Sequence, residues 1–387
     1  MAAKTRISWA DTTWPITVGC DKESEGCSGC YAMKDARRME SNPNSKVSSV
    51  YSDLVQKTPG GSLEWTGIIK TLPERLDAPK QWSENRLVFV CSQSDLFHPD
   101  VPADFIAQAF DVMWNYNQHR YLILTKRPER VLELMHSDAP AGLKDVNRGN
   151  FPHVRFGVSA ENQPNADRRI PLLLQMEIDN FVSLEPLIGP IDVSPWITQL
   201  QWVIVGGESG KYARPMHPQW VRAIRDQCEQ HQTLFHFKQW GEFLVEPFAH
   251  EKLLLQHREN ETVLYKAGNS KADKSTRTLT KGDTTYYRVG RRKAGRTLDG
   301  RYWNARPEED ETPILAPHPI GSTVTIVNAG SEYDNLTGTI QTIQPDDPKN
   351  PDFNGEEASY YITANGHELD QAFGYWQLSP AGEQRHE

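Results

Sequence analysis

Thiols are scarce in this chain, with 5 cysteines in 387 residues. Three of them nonetheless crowd into GCDKESEGCSGCYAMKDARR, at Cys20, Cys27 and Cys30. An odd count argues against a simple disulfide set. Long apolar runs are also missing: the longest, such as LVFVC at Leu87–Cys91, are strand-length and too short for a bilayer. The N-terminal MAAKTRISWAD lacks the apolar stretch of a signal peptide, so a cytoplasmic location away from membranes is expected. In that reducing compartment, clustered cysteines more often bind metal or do chemistry than form disulfides. Nor is there a basic excess. The formal net charge of −9 argues against a protein that coats nucleic acid nonspecifically, while leaving room for a local basic groove.

What is present is alternation. Short apolar runs at Ile16–Val18, Gly67–Ile69, Leu87–Val90, Tyr121–Leu124, Val154–Val158, Phe181–Leu184, Trp202–Val205 and Leu234–Phe237 read as strands. Between several lie helical patterns. PADFIAQAFDVMWNY repeats apolar residues at helical spacing behind a starting proline. ADRRIPLLLQM and HPQWVRAIRDQCEQ read as helices too, the first strained by Pro171. The expected class is α/β: a full or partial (β/α) TIM-like barrel, with a doubly wound open sheet as the alternative. Residues 1–245 would form that barrel. Residues 246–310 would be a polar insert, around NSKADKSTRTLTKGD, followed by a basic closing segment. Residues 311–387, behind the proline-rich linker EDETPILAPHPIG, read as a small SH3-like β-barrel domain.

Many strands run into polar residues. VFVC is followed by SQSD, LILT by KRPE, FGVS by AENQ, FVSL by EPLIG and VIVGG by ESG. In β/α barrels the active site lies at the C-terminal strand ends, so these exits are expected to share one site. The alternative is a set of structural ion pairs across the barrel mouth. In the closing segment, Arg288, Arg291, Arg292, Lys293, Arg296, Arg301 and Arg306 surround Tyr302 and Trp303. That composition suits phosphate pairing with base stacking, or equally a solvated segment packed through Leu298 and Trp303.

The cysteines form C-x6-C-x2-C. Thiolates are soft ligands for zinc or iron–sulfur clusters. A closed zinc site needs a fourth ligand, for which Cys91 and His98 are the nearest candidates. A [4Fe–4S] cluster on three cysteines instead leaves one iron open to a substrate or cofactor.

Three cysteines in the loop after the first strand of a β/α barrel resemble the radical S-adenosylmethionine (SAM) enzymes. W-x-D-x-T-W (Trp9–Trp14), GC…GC-x-x-CYA, LTKRPER, GVSAENQ, SLEPL, VGGESG, FKQWGE and AGRTLDGRYWN resemble, in that order, a phage-associated radical-SAM-like family over Ile7 to Arg306. The resemblance implies a [4Fe–4S] cluster on Cys20, Cys27 and Cys30, SAM on its open iron, and reductive cleavage to a 5′-deoxyadenosyl radical by an electron donor such as flavodoxin. Two departures stand out: the first spacing is six residues rather than three, and Gly29 replaces the usual aromatic before the last cysteine, with Tyr31 following it.

Matching the chemistry of SAM to the strand ends, Lys126 and Arg127 suit its carboxylate. Asp95, Glu161 or Glu208 suit the ammonium or ribose hydroxyls, and Ser92, Thr125, Ser159 and Asn162 complete the polar contacts. Glu185 joins this cofactor-binding set, and Tyr31 is the candidate adenine contact. Gly206-Gly207-Glu208 has the letters of a familiar ammonium-binding motif but sits on a late strand. Cys91, beside Ser92, is the candidate catalytic hydrogen donor, or else a small buried hydrophobe. The implied substrate is DNA: thymidine hypermodification in a bacteriophage, within the host cytoplasm and in the service of restriction evasion, by isomerising an N-linked glycinyl-thymidine to a C-linked form. Radical SAM repair, tRNA modification and a noncatalytic zinc module are the alternatives.

Overall fold

The computed structural model describes residues 5, 7–136, 146, 150–245, 278–281 and 284–307, together with five strands between 323 and 380. The chain divides into two compact units, Met1–Glu308 and Glu309–Glu387.

Unit one is built on seven parallel strands lying side by side in chain order: β1 (Thr12–Trp14), β2 (Leu87–Val90), β3 (Arg120–Thr125), β4 (Val154–Ser159), β5 (Asp179–Leu184), β6 (Trp202–Gly206) and β7 (Leu234–Gln239). Helices α1 (Tyr31–Glu40) and α2 (Ser45–Tyr51) precede β2, and α3 (Ala103–Asn115), α4 (Pro128–His136) and α5 (Gln163–Leu173) separate β2 to β5. Turns connect β5 to β6, and α6 (Pro218–Gln230) precedes β7. The first and last strands are not paired, so the sheet is a partial barrel rather than a closed one.

The pleat explains the two-sided burial. Val88 and Val90, Tyr121 and Ile123, Phe156 and Val158, Val203 and Val205 face the helices in one large core. The alternate residues Phe89, Leu122, Phe181, Trp202 and Ile204 face inward around Trp9. The Trp9 ring lies 4.6 Å from Phe89 on β2 and 6.3 Å from Trp202 on β6, so the sheet must curl to bring those strands around one side chain. Gly157 is the small residue this interior requires, because a Cβ there would enter the Phe181 ring.

Six of the eight expected strands match β2 to β7. The other two are corrected. The first barrel strand is Thr12–Trp14, not Ile16–Val18; Thr17–Val18 instead pairs antiparallel with Lys70–Thr71, just beyond Gly67–Ile69. Helix α5 keeps Pro171 near its C-terminal end, where few backbone bonds remain to lose.

After β7, strands β8 (Phe243–Val245), β9 (Thr278–Lys281) and β10 (Thr284–Arg288) form an antiparallel sheet, so part of the expected polar insert is a strand. Residues 246–277 and the proline-rich linker lie outside the described residues. Helix α7 (Arg291–Ala294) follows, and the chain then returns along the edge strand β7. Asn304 bridges His236, Phe237 donates its N–H to the Trp303 carbonyl at 2.9 Å, and the Trp202 indole N–H reaches the Ala305 carbonyl at 2.9 Å. Covering an edge in this way satisfies backbone groups that would otherwise be exposed.

Unit two contains five antiparallel strands, with Ala358–Ala364 and Thr337–Pro345 at the centre and Thr323–Ile326 pairing Leu378–Pro380. Among the described residues no helix is long and apolar enough to cross a membrane.

His236 lies fully buried on the inner face of β7, its Nε2 2.9 Å from the Ser8 hydroxyl. Burial, with Arg296 nearby, pushes its pKa down from 6.5 to about 4. Between those values the unfolded chain binds a proton that the folded chain refuses, so stability rises with pH across the window and is lost as pH falls from 6.5 towards 4. The expected loss is on the order of 3 kcal/mol. Urea unfolding at pH 7 and at pH 4.5 measures it; an equal difference in a His236→Gln variant would contradict the assignment.

Candidate active site

The cysteine loop leaves β1 and returns at α1, across the C-terminal ends of the strands. Cys20, Cys27 and Cys30 are all free thiols and all line one cavity of about 260 Å³. Its walls come from the strand exits: Ser92 and Asp95 after β2, Thr125, Lys126 and Arg127 at β3, Ser159 at β4, Glu185 after β5 and Glu208 after β6.

The long first spacing has a structural use. Residues Asp21 to Gly26 are pinned to the barrel at almost every position. Asp21 accepts from the Arg127 guanidinium, and its carboxylate lies 3.3 Å from His98. Glu23 pairs with Arg168 at 2.5 Å, the Ser24 hydroxyl lies 3.3 Å from Lys126 Nζ, and Gly26 donates its N–H to Glu161 at 3.2 Å. The Glu25 carbonyl accepts from Arg214 at 3.0 Å. Three extra residues therefore supply tethers that hold Cys20 and Cys27 over the cavity.

Gly29 also has a local reason. A Cβ at that position would sit 2.7 Å from Glu208 Oε1. That carboxylate cannot easily yield, because Arg214 grips both its oxygens, at 2.7 Å to Oε1 and 2.8 Å to Oε2, and donates its backbone N–H to Oε2. An aromatic side chain in place of Gly29 has no room. Tyr31 is instead half exposed at the cavity wall, its hydroxyl donating to the Ser92 carbonyl at 2.5 Å.

The other carboxylates are paired as well. Asp95 is buried and accepts from the Thr125 hydroxyl at 2.8 Å, the Lys126 N–H at 3.1 Å and Arg127 at 2.9 Å. Glu185 lies 3.1 Å from Lys238, whose ammonium sits over the Trp9 ring. The ion-pair reading of the strand ends thus describes these carboxylates in the folded chain.

Two candidates fall outside the cavity lining. Glu161 is fully buried beneath the loop, 3.1 Å from both Lys126 and Arg169. Burial pushes its pKa up, but Lys126, Ser24, Arg169 and the Gly26 amide outweigh that and hold it at about 2. Asn162 caps α5, its side chain accepting from the Asn165 N–H at 3.2 Å. Cys91 sits at the cavity wall with φ +55, accepting a hydrogen bond from the Thr17 hydroxyl at 3.1 Å, and burial raises its thiol to about 11.

Lys238, Arg214, Arg169 and Trp9 were not among the sequence candidates. Lys238 carried a usable signal: it shares the inward face of β7 with Leu234 and His236 at period two. Arg214 carried none, since its partner is set by the path of a loop.

The donor set fits an iron–sulfur cluster. Burial raises the pKa of the Cys20 and Cys30 thiols, with Asp95 adding to the effect at Cys20. At Cys30 the backbone N–H groups of Ala32 and Met33 oppose it by donating to the sulfur at the start of α1. Burial thus favours the protonated thiol at both, and a metal binding there would displace the protons and supply the compensating charge. Among the described residues no group of three or more His, Cys, Asp or Glu side chains is close enough to chelate a single ion.

No curated protein matches this chain. Among solved structures, spore photoproduct lyase complexed with dinucleoside spore photoproduct is 11% identical over 75% of this chain and 71% of its own, with a TM-score of 0.34. A variant of that enzyme with bound AdoMet and the same dinucleoside is 12% identical over the same shares, also at 0.34. Superpositions that loose carry no argument, and the reading below stands on this chain's own residues. Residues 4–307 match the family described as protein of unknown function (DUF5131), and the chain belongs to that family.

Proposed function

We propose that this protein is a radical SAM enzyme whose substrate is a nucleic acid. The observation that carries the reading is the gathering of three free thiols from one tethered loop over a cavity lined by strand-end polar residues. Cys20, Cys27 and Cys30 would hold a [4Fe–4S] cluster by three of its irons, leaving the fourth for SAM. When bound, the pair supplies a 5′-deoxyadenosyl radical by one-electron cleavage of the sulfonium, with the electron coming from a donor such as flavodoxin.

The chain's own residues position and shield. Glu208, fixed by Arg214 beside Gly29, keeps one lone pair of Oε1 to accept from the SAM ammonium. Lys126, held between Ser24 and Glu161, offers positive charge to the carboxylate. Ser92, Ser159 and Tyr31 line the same cavity and would meet the ribose and adenine. Asp95 and Arg127 brace the loop through Asp21 rather than reach for the ligand. Trp9 and Phe89 close the floor against water.

Gly29→Ala tests the Glu208 assignment. The added methyl crowds a carboxylate that Arg214 holds, so Glu208 and the loop beside it must shift against each other, and SAM binding is expected to weaken about tenfold, or roughly 1.4 kcal/mol. Equal SAM affinity in the variant, read by titration, would remove Glu208 from the site.

The specific reaction proposed is isomerisation of N-linked glycinyl-thymidine in phage DNA. Hydrogen leaves the glycyl Cα, the methylene attached to the base migrates from nitrogen to that carbon, and hydrogen returns to the nitrogen. Reaching a buried 5′-carbon requires the base to leave the stack, at a cost of roughly a few kcal/mol. Hypermodified DNA treated with reconstituted enzyme, SAM and reductant should yield a new nucleoside of unchanged mass and altered retention on digestion. Unchanged nucleosides alongside 5′-deoxyadenosine formation would overturn this substrate while keeping the enzyme class.

A further inference from the structure

The basic closing segment splits into two populations. Arg288 donates to the Gly210 and Lys211 carbonyls and lies 3.7 Å from Glu242. Arg301 pairs with Glu229 and stacks on Trp303, Arg306 pairs with Asp11, and Arg296 is bonded to Asn304. Arg288, Arg301 and Arg306 brace the returning chain against the barrel, and Arg296 ties that chain to itself. Arg291, Arg292 and Lys293 on α7 differ. All three are exposed, and among the described residues their side chains make no ion pair or hydrogen bond. Arg291 borders the cavity that holds the cysteines.

Other cations lie along the same rim. The Arg288 bonds draw the loop after β6 against the segment carrying α7. In that loop Gly210 adopts φ +111, and a Cβ there would run into the Lys34 ammonium of α1. Lys211 follows, next to Tyr212, whose ring is 58% exposed. The nearby carboxylates are already engaged: Glu242 by Arg288, Glu208 and Glu25 by Arg214, and Asp35 by Arg38. A chain of net charge −9 thus leaves uncompensated positive charge from three elements at the mouth of the cavity that holds the cysteines.

We infer that this rim, centred on Arg291, Arg292 and Lys293 with Lys34 and Lys211, docks the phosphodiester backbone of a nucleic acid whose target nucleotide enters the cavity. The inference rests on the reading of the cavity as a nucleic-acid-modifying site. Phosphates flanking an extruded nucleotide are where cations at the mouth act. The neighbouring aromatics are already engaged: Tyr212 lies under Lys211, Tyr302 under Arg296, and Trp303 is packed inside.

The test is fluorescence anisotropy with one labelled sequence as single-stranded DNA, duplex DNA and RNA, using cluster-loaded full-length protein. R291E/R292E/K293E should weaken binding by about tenfold or more and flatten the salt dependence by about 2 in slope, one phosphate contact being worth roughly 0.7 to 0.9. The neutral R291Q/R292Q/K293Q should fall between it and the parent. K80E, reversing a charge on the turn at Pro79–Gln81, should stay within about twofold, as no phosphate contact is lost. The three arms decide which nucleic acid is preferred. Unchanged affinity and slope in the triple variant, or no binding of any arm by the parent, overturns the proposal. Formation of 5′-deoxyadenosine from SAM and reductant is followed in the same protein preparations, without and with nucleic acid. Absent in the parent, while charge reversal still abolishes binding, it would sink the radical reading and leave this surface standing.

Discussion

Cys27→Ala should purify almost free of iron and lose 5′-deoxyadenosine formation by more than about 100-fold, beyond the loss that even outer contacts to a metal ligand cause. Cys27 lies at the end of the tethered stretch, with the Ser24 hydroxyl 3.8 Å from its sulfur. No described cysteine stands ready to replace it: Cys91 is bonded to Thr17, and Cys228 is buried in α6. Cys228→Ala is the matched control, expected to keep full iron content despite losing some packing. Iron and sulfide assay with the visible spectrum reads both. Parent-like iron in Cys27→Ala would show that the three thiols do not act together.

Glu161→Ala carries the largest expected effect on stability, about 3 to 5 kcal/mol. Glu161 and Arg169 are both fully buried and 3.1 Å apart, and Lys126 shares the same carboxylate oxygen. Removing the carboxylate leaves the buried Arg169 guanidinium with only Glu23, 3.9 Å away, as countercharge and frees the Gly26 amide. Glu161→Gln keeps an acceptor for Gly26 and should cost less. Denaturant unfolding of both variants checks the order. The charge itself is pH-linked: with the folded pKa at about 2, its stabilisation is complete above the ordinary carboxylate range and fades as pH falls from 4.5 to 2. A Glu161→Ala protein as stable as the parent would mean that the loop is held elsewhere.

Strands β2 to β7 were legible in the sequence because each is a short apolar run bounded by polar exits, buried on both faces as parallel strands are. The strand exits also pointed to the cavity, since eight of their ten cofactor candidates line it. The first strand was misplaced because Ile16 and Val18 are more apolar than Thr12–Trp14. Yet Val18 packs on α1 and α2, outside the main sheet. Pairing was the part the sequence could not show. Arg214 meets Glu208 only because the loop after β6 folds back, and Glu161 looks like any strand-end acid until Arg169, one helix later, is placed beneath it. The basic segment carried two readings for a related reason. Its composition is uniform, but contacts with Asp11, Glu229 and Glu242 convert three of its arginines into braces, Asn304 holds Arg296, and Arg291, Arg292 and Lys293 are left at the rim.

The central claim is that three thiols hold a cluster with one iron left for SAM. Anaerobic reconstitution with iron and sulfide, followed by EPR of the reduced protein with and without SAM, addresses it directly. The account predicts about four irons per chain, a signal that changes when SAM is added, and release of 5′-deoxyadenosine. A colourless protein carrying zinc, or a cluster signal indifferent to SAM, would contradict it.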